Sequence, residues 1–352
     1  MDSMTLDTQR LNALLGTMVV ELGAAANGVL VSLGDRLGLW RALHRHGPLT
    51  SAALARATGT QERYVREWLS AQAASGFVTW EAADGTFRLT AEQAAVLADE
   101  DSPVFMGGGF SGLGAVYAGE DRLAAAFRSG EGIGWGEHCA CLFCGTERFF
   151  RPGYRAHLVA EWLPSLAGVV AKLEAGARVV DVGCGHGAST LIMADAFPRS
   201  AFVGIDFHAP SIDHARSHLE GRRNVRFEVA RAQDFAGHGF DFATLFDALH
   251  DMGDPAGAAR HIRDSLAPDG TLMVVEPAAG DSLAENLGPV GRAFYAYSTS
   301  LCVPASLSQE VGAALGAQAG EARLAAVLRE GGFSHVRRTV TTPFNMVLEA
   351  RP

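Results

Sequence analysis

No run of basic residues interrupts this 352-residue sequence; 29 Lys plus Arg stand against 39 Asp plus Glu, a formal net charge of -10. Phosphate contacts supply most of the affinity for duplex nucleic acid, so such a surface speaks against that partner and for a small molecule. Cysteine is scarce and odd in number, five in all, which argues against a disulfide framework in a chain this long. Cys139, Cys141 and Cys144 cluster beside His138, but without the paired Cys-x2-Cys spacing of zinc knuckles. Buried or pocket-lining thiols are expected there, and no metal. No stretch reaches about 18 uninterrupted apolar residues and no secretory leader is recognisable, so no membrane partner and a cytoplasmic location are expected. Leu11, Leu14, Leu15, Met18, Val19 and Leu22 instead share one face at helical spacing, predicting a packing stripe.

A hydrophobic fraction of 48% over this length predicts two domains with buried cores. A short helix over 36–47 is followed by one capped by Thr50 and ended by Gly59. A third, capped by Thr60, carries Val65, Trp68 and Leu69 inward and ends at Gly76. Strands over 77–80 and 86–90, joined around Asp84-Gly85, complete a winged helix within residues 1–100. Arg63 and Arg66 would face phosphate if this domain read DNA. Glu62 and Glu67 break that basic character, and a dimerisation and substrate-covering module is the other reading. Residues 91–170 lack strand periodicity, with 101–165 expected as a helical linker lining the substrate pocket, and the glycine-dense stretch 106–114 is expected as a bend between helices. Trp135, Phe143, Phe149, Phe150, Tyr154 and Trp162 crowd the same segment, as core or as pocket wall, with Arg151 and Tyr154 offering polar tips.

Residues 178–187 read Arg-Val-Val-Asp-Val-Gly-Cys-Gly-His-Gly. A β-branched strand runs into Gly183, Gly185 and Gly187, and a helix opens near Ala188. Side chains at those glycines would fill the space that a nucleotide-like ligand needs. Gly183, Gly185 and Ala188 also satisfy the looser dinucleotide pattern. A second strand ends in Asp206, followed by Phe207 and His208, where an acid can accept both ribose hydroxyls. A third leads to Gln233-Asp234-Phe235, a carboxylate for an exocyclic amine beside an apolar ring. Adenosine across three successive strand ends is therefore favoured.

From residue 171 strands and helices alternate, predicting a parallel sheet covered on both faces. Residues 279–320, with Arg292, Phe294, Tyr295 and Tyr297, interrupt the alternation as a loop with short helices over the carboxyl edge, expected as a lid. Two final strands, 333–340 and 345–350, are joined by so few residues around Pro343 that they must pair antiparallel, which dinucleotide-binding sheets do not require.

This arrangement resembles the class I S-adenosylmethionine-dependent methyltransferases, in particular the small-molecule O-methyltransferases with an N-terminal winged helix. The resemblance rests on Val180 to Gly187 with Asp206, on Leu249-His250-Asp251, and on Pro268-Asp269-Gly270 leading to Val274-Val275-Glu276. It implies an α/β fold: a Rossmann-like seven-stranded sheet with an antiparallel last strand, behind an α-helical winged-helix domain. It implies S-adenosylmethionine as cofactor, held by Asp181, Gly183, Gly185, Gly187, Asp206, Phe207, His208, Gln233, Asp234, Phe235 and Phe246. His250 is then the general base, oriented by Glu276, with Asp251 as its neighbour in the catalytic set. Trp135, Phe150, Tyr154, Arg292 and Tyr295 become the substrate-lining set. A homodimer is implied as well. Met252 stands where the family usually has Trp, pointing away from the familiar flat phenols; Glu321 is a candidate for a second orienting acid. Adjacent to His250 in sequence, Asp251 is expected to point elsewhere. Domains of 1–100, 101–165 and 166–352 follow. A hydroxyl is the leading acceptor, with nitrogen, sulfur or carbon open; a nicotinamide-dependent oxidoreductase and a ligand-sensing transcription regulator are the competing classes.

Overall fold

The computed structural model describes residues 6–352, and the chain divides into one unit ending at Gly114 and a second, Ala115–Pro352. The first begins with α1 (Thr8–Arg36), whose start is fixed by Asp7 accepting from the N–H groups of Gln9 and Arg10. The stripe Leu11, Leu14, Leu15, Met18, Val19 and Leu22 is not packed, as expected from its spacing, but exposed, from 39% at Leu11 to 72% at Leu22. By length and composition α1 is also apolar enough to cross a membrane. Counting uninterrupted apolar residues misses this, because Glu21 and Asn27 break the run without much lowering its average apolarity.

Next come α2 (Leu39–His46), α3 (Ser51–Thr58) and α4 (Glu62–Ala74). Thr50 caps α3 through Ala53 N–H at 3.2 Å. At α4 the cap is Gln61, without a side-chain bond, and the hydroxyl of Thr60 meets that of Thr58 at 2.8 Å instead. β1 (Thr79–Glu81) and β2 (Thr86–Arg88) form the antiparallel wing, turned by Gly85 at φ +68°, and α5 (Ala91–Leu97) follows. The core closes on Trp40 and Trp68, 4.6 Å apart, whose indole N–H groups donate to the carbonyls of Val31 and Leu30. Arg63 and Arg66 pair with Glu67 and Glu62 one turn away on their own helix. The glycine-dense stretch is no bend: it lies largely within α6 (Gly107–Ala118). Phe110 and Leu113 there pack on Gly28, whose missing side chain admits them, and such packing overrides weak intrinsic propensity.

The second unit carries α7 (Glu120–Ser129), α8 (Ala140–His157), α9 (Val169–Ala175), β3 (Arg178–Val182), α10 (Ala188–Ala196), β4 (Ala201–Asp206), α11 (Ala209–Ser217) and β5 (Val225–Val229). After them come β6 (Phe240–Phe246), α12 (Pro255–Ser265), β7 (Leu266–Pro277), α13 (Pro289–Tyr297), α14 (Val303–Leu307), α15 (Gly320–Glu330), β8 (His335–Thr341) and β9 (Asn345–Arg351). The sheet order is β5-β4-β3-β6-β7-β9-β8, with β9 antiparallel to both neighbours. Burial on both faces of β3, where Val179, Val180 and Val182 are all 0–1% exposed, suits a strand covered on both sides. Strand order reverses between β3 and β6, and open parallel sheets bind ligands at the crevice such a reversal creates. Cys139 and Cys141 do not stay free thiols: at the start of α8 their Cα atoms are 5.2 Å apart and the two are joined by a disulfide. Cys144 is exposed, whereas Cys184 and Cys302 are buried.

Candidate active site

After β3, Gly183, Gly185 and Gly187 all adopt left-handed backbone, with φ of +71°, +52° and +82°, a region costly for other residues. Their surroundings differ. A Cβ on Gly183 would come within 2.9 Å of Ala248, and one on Gly187 within 2.6 Å of the Phe227 ring, but Gly185 has nothing within 4 Å. Two glycines thus serve packing, and Gly185 opens onto space. Its N–H donates to Asp206 Oδ2 at 2.9 Å, while Asp206 Oδ1 accepts from His208 N–H at 2.8 Å. Burial raises the Asp206 carboxyl despite these bonds. Phe207 is half exposed beside it. The ring of His208 sits against Phe143 at 4.6 Å and its Nδ1 lies 2.8 Å from Ser211 Oγ.

Several expected cofactor residues have other partners. The carboxylate of Asp181 is occupied by three hydroxyls, of Ser189, Thr190 and Thr244 at 2.6 to 2.9 Å; it ties β3 to α10 and β6, and burial raises its pKa to about 6. Phe235 is buried against Phe240 and His261 in the core, so it is no ring beside an adenine. Asp234 pairs with Arg231 at 2.9 Å, and Gln233 Nε2 reaches the carbonyl of Asp254 at 3.4 Å. Phe246 packs on Tyr154 in the core, centroids 5.1 Å apart.

A single turn, Leu249–Asp251, follows β6. The Leu249 N–H donates to Glu276 Oε1 at 2.9 Å, and His250 Nδ1 lies 2.5 Å from Glu276 Oε2. An ionised carboxylate only accepts, so Nδ1 carries the proton. On the far side of the ring, Nε2 is 3.2 Å from Asp251 Oδ1; the turn swings Asp251 back onto its neighbour instead of away from it. His250 and Glu276 are buried at 4% and 1%. Burial alone would depress the imidazole, but the carboxylates of Glu276 and Asp251 outweigh it and hold His250 well above its ordinary pKa.

Two members of this cluster escape sequence reading. Asp247, with a left-handed φ of +48°, accepts from the Tyr154 hydroxyl at 2.8 Å and from Asn345 Nδ2 at 2.9 Å. Burial and the Glu276 charge push it up to about 7. An acid directly after a strand's carboxyl end was the available signal. Cys302 contributes a donor atom beside His250 and Asp251, and burial with the Asp251 charge pushes its thiol up to about 12; nothing in its serine-rich surroundings marks it. The segment 279–320 that carries Cys302 is fastened to the turn that carries His250. Ser306 donates to the Met252 carbonyl at 2.7 Å, and Gln309 bonds the Asp251 carbonyl and the Gly253 N–H.

Tyr154 is thus a core residue whose hydroxyl serves Asp247, not a polar tip aimed at substrate. Trp135 packs on Phe143 and Phe150 stacks on Tyr154. Tyr295 is half-buried with its hydroxyl 3.5 Å from Asn286 Nδ2, and Arg292 is exposed on α13. Glu321 pairs with Arg338 at 3.3 Å; the second acid at His250 is Asp251.

Comparison with known proteins agrees with this layout. A family model for the Rv2258c-like winged HTH domain matches residues 25–99, and one for the methyltransferase domain matches residues 153–307. A ubiquinone biosynthesis O-methyltransferase of Neisseria meningitidis serogroup C is 37% identical over 106 residues, 28% of this chain and 43% of that protein. The match therefore spans less than half of that relative's length. The mitomycin biosynthesis 6-O-methyltransferase of Streptomyces lavendulae is 27% identical over 66% of this chain and 69% of its own. The solved structure of human N-acetylserotonin methyltransferase, in complex with S-adenosylmethionine, superposes with a TM-score of 0.71 at 18% identity, covering 100% of this chain and 99% of that one. The dinucleotide reading of the glycine loop falls with these matches and with the antiparallel last strand. The chain thus carries a winged HTH domain and, behind it, a methyltransferase domain, in the fold of solved S-adenosylmethionine-dependent methyltransferases.

Proposed function

We propose that this protein transfers a methyl group from S-adenosylmethionine to a hydroxyl of a small molecule, with His250 as the general base. The observation that carries the reading is the buried His250–Glu276 pair, standing at the carboxyl end of β6 next to the glycine loop of β3. The loop suits the cofactor: Gly185 faces open space, each Asp206 oxygen retains a lone pair for a ribose hydroxyl, and Phe207 offers an exposed ring. Bound there, the cofactor supplies an electrophilic methyl carbon on a sulfonium. The chain's own part is to hold the acceptor in line, exclude water and remove its proton.

Glu276 fixes the ring by Nδ1, so Nε2 is the atom that takes the proton. Asp251 then stabilises the imidazolium. Because these carboxylates already favour the charged ring, it must first lose its resting proton, which places activity on the alkaline side of a histidine's usual range. Replacing His250 by Ala is expected to lower turnover by about 100-fold or more with S-adenosylhomocysteine still bound. Full turnover in that variant overturns the assignment and favours a nitrogen, sulfur or carbon acceptor, for which no hydroxyl proton needs removing.

The winged helix is read as a covering and dimerising module, in a cytoplasmic protein. Supporting it are the internally paired Arg63 and Arg66 and the exposed apolar stripe of α1. Light scattering of the full chain should give twice the 37.1 kDa monomer mass. A monomer at micromolar concentration would sink the dimer, and salt-dependent binding of duplex DNA would revive the regulator.

A further inference from the structure

Three side chains from three separate elements converge away from the His250 cluster. Glu147 comes from α8, His186 from the loop between Gly185 and Gly187, and His214 from α11. One donor atom of each lies within 4.8 Å of the others. The imidazoles of His186 and His214 stack with centroids 3.9 Å apart. Glu147 Oε1 is engaged by Arg151 at 2.9 Å, which leaves Oε2 facing His186 Nδ1 at 3.8 Å, beyond hydrogen-bond reach. The His186 side chain is only 7% exposed, and its Nδ1 is buried with no hydrogen-bond partner. Such a nitrogen carries a desolvation penalty that a ligand would remove.

We infer that Glu147, His186 and His214 form a site for a divalent transition ion of the zinc class. Two imidazoles and one carboxylate suit zinc, cobalt or nickel better than magnesium or calcium, which take all-oxygen shells. With metal–ligand bonds of about 2.0–2.2 Å, donors of a tetrahedral site stand roughly 3.3 Å apart. Oε2 and Nδ1 therefore need to close by about half an ångström, and one imidazole must turn out of the stack, because the nitrogen lone pairs lie in the ring planes and two nearly parallel rings do not point at one ion. Arg151, holding the other carboxylate oxygen, orients the ligand as outer partners in metal sites do. Three protein ligands leave a fourth position for water. An ion here pins α8, α11 and the cofactor loop together, and since His186 lies between two loop glycines, metal and cofactor binding are coupled reciprocally. The inference departs from the sequence expectation of no metal and does not depend on which atom the enzyme methylates.

A titration of the full chain with Co²⁺, followed by the visible spectrum of the bound ion and by competition with Zn²⁺, tests it. One ion per chain is expected, with a spectrum free of thiolate charge transfer. His214→Ala and Glu147→Gln should each weaken binding by more than about 100-fold, exceeding the loss of an outer partner, while Cys302→Ser leaves it unchanged. Glu147→Gln keeps the size of the side chain, so it answers the question even if His214→Ala folds poorly. Absence of saturable uptake overturns the site. So does a thiolate band abolished by Cys302→Ser, which would put the ion at His250, Asp251 and Cys302 instead.

Discussion

At the end of β3 the proposed cofactor site is built of backbone: three left-handed glycines, of which Gly185 faces open space, and two N–H groups that fix one carboxylate, Asp206. At the end of β6 the proposed acceptor site is built of side chains, a buried imidazole ringed by Glu276, Asp251 and Asp247. The first half is local, written within some 30 consecutive residues and nearly independent of charge. The second gathers residues from β6, β7, α8 and the 279–320 segment, and works only if its charges balance. Substitutions on the two sides should therefore fail in different ways.

The largest effect is expected on the charged side. Glu276→Gln presents an amide where a carboxylate fixes Nδ1–H, so both the tautomer and the charge of His250 change. Turnover should fall by about 100- to 10,000-fold, with S-adenosylhomocysteine binding nearly unchanged. The acid limb of the residual pH–rate profile should move toward lower pH, because a charge that raises the imidazole pKa has gone. A variant retaining more than a tenth of wild-type turnover would show that Glu276 does not orient the base.

On the backbone side, Gly185→Ala and Gly187→Ala separate ligand space from packing. Both incur left-handed strain of about 1–2 kcal/mol. Only at Gly187 does the new methyl meet an aromatic ring, at 2.6 Å, adding overpacking of roughly 1–3 kcal/mol. Gly187→Ala should melt well below Gly185→Ala, whereas Gly185→Ala should lose about tenfold or more in S-adenosylhomocysteine affinity, as read by calorimetry. Unaltered affinity there would mean that the open space over Gly185 is not where the cofactor lies.

The same contrast explains what the sequence disclosed. The glycine loop, Asp206, the alternation of strands and the antiparallel close were legible because each depends on local backbone rules and hydrophobic period. His250 and Glu276 were legible because both end adjacent parallel strands. Phe235 and Phe246 were misplaced for one reason: near a sheet's carboxyl end, which face a ring takes is decided by packing with distant residues such as His261 and Tyr154. Asp251 was misdirected because a tight single turn, not a continuing helix, sets its side chain. Cys302 lies 52 residues from His250 in the chain, and no local pattern links them.

The smallest effect isolates one charge of the cluster and is read in stability, not rate. Asp247 is raised from an ordinary carboxyl to about 7 by burial and by Glu276, so between roughly pH 4 and 7 the folded protein holds a proton that the unfolded chain has released. Stability must then fall as pH rises through that window, by at most about 1.4 kcal/mol per pH unit from this group. His250, raised instead above 6.5, loses its contribution in the next window up, as pH climbs through its folded-state value. Asp247→Asn tolerates the positive φ, keeps an oxygen for the Tyr154 hydroxyl and cannot titrate. The stability difference between this variant and wild type, from urea unfolding, should move in the variant's favour from pH 4 to 7 and level off above. A difference independent of pH would show that Asp247 is ionised throughout, and that the acceptor side carries one more buried negative charge than its geometry can balance.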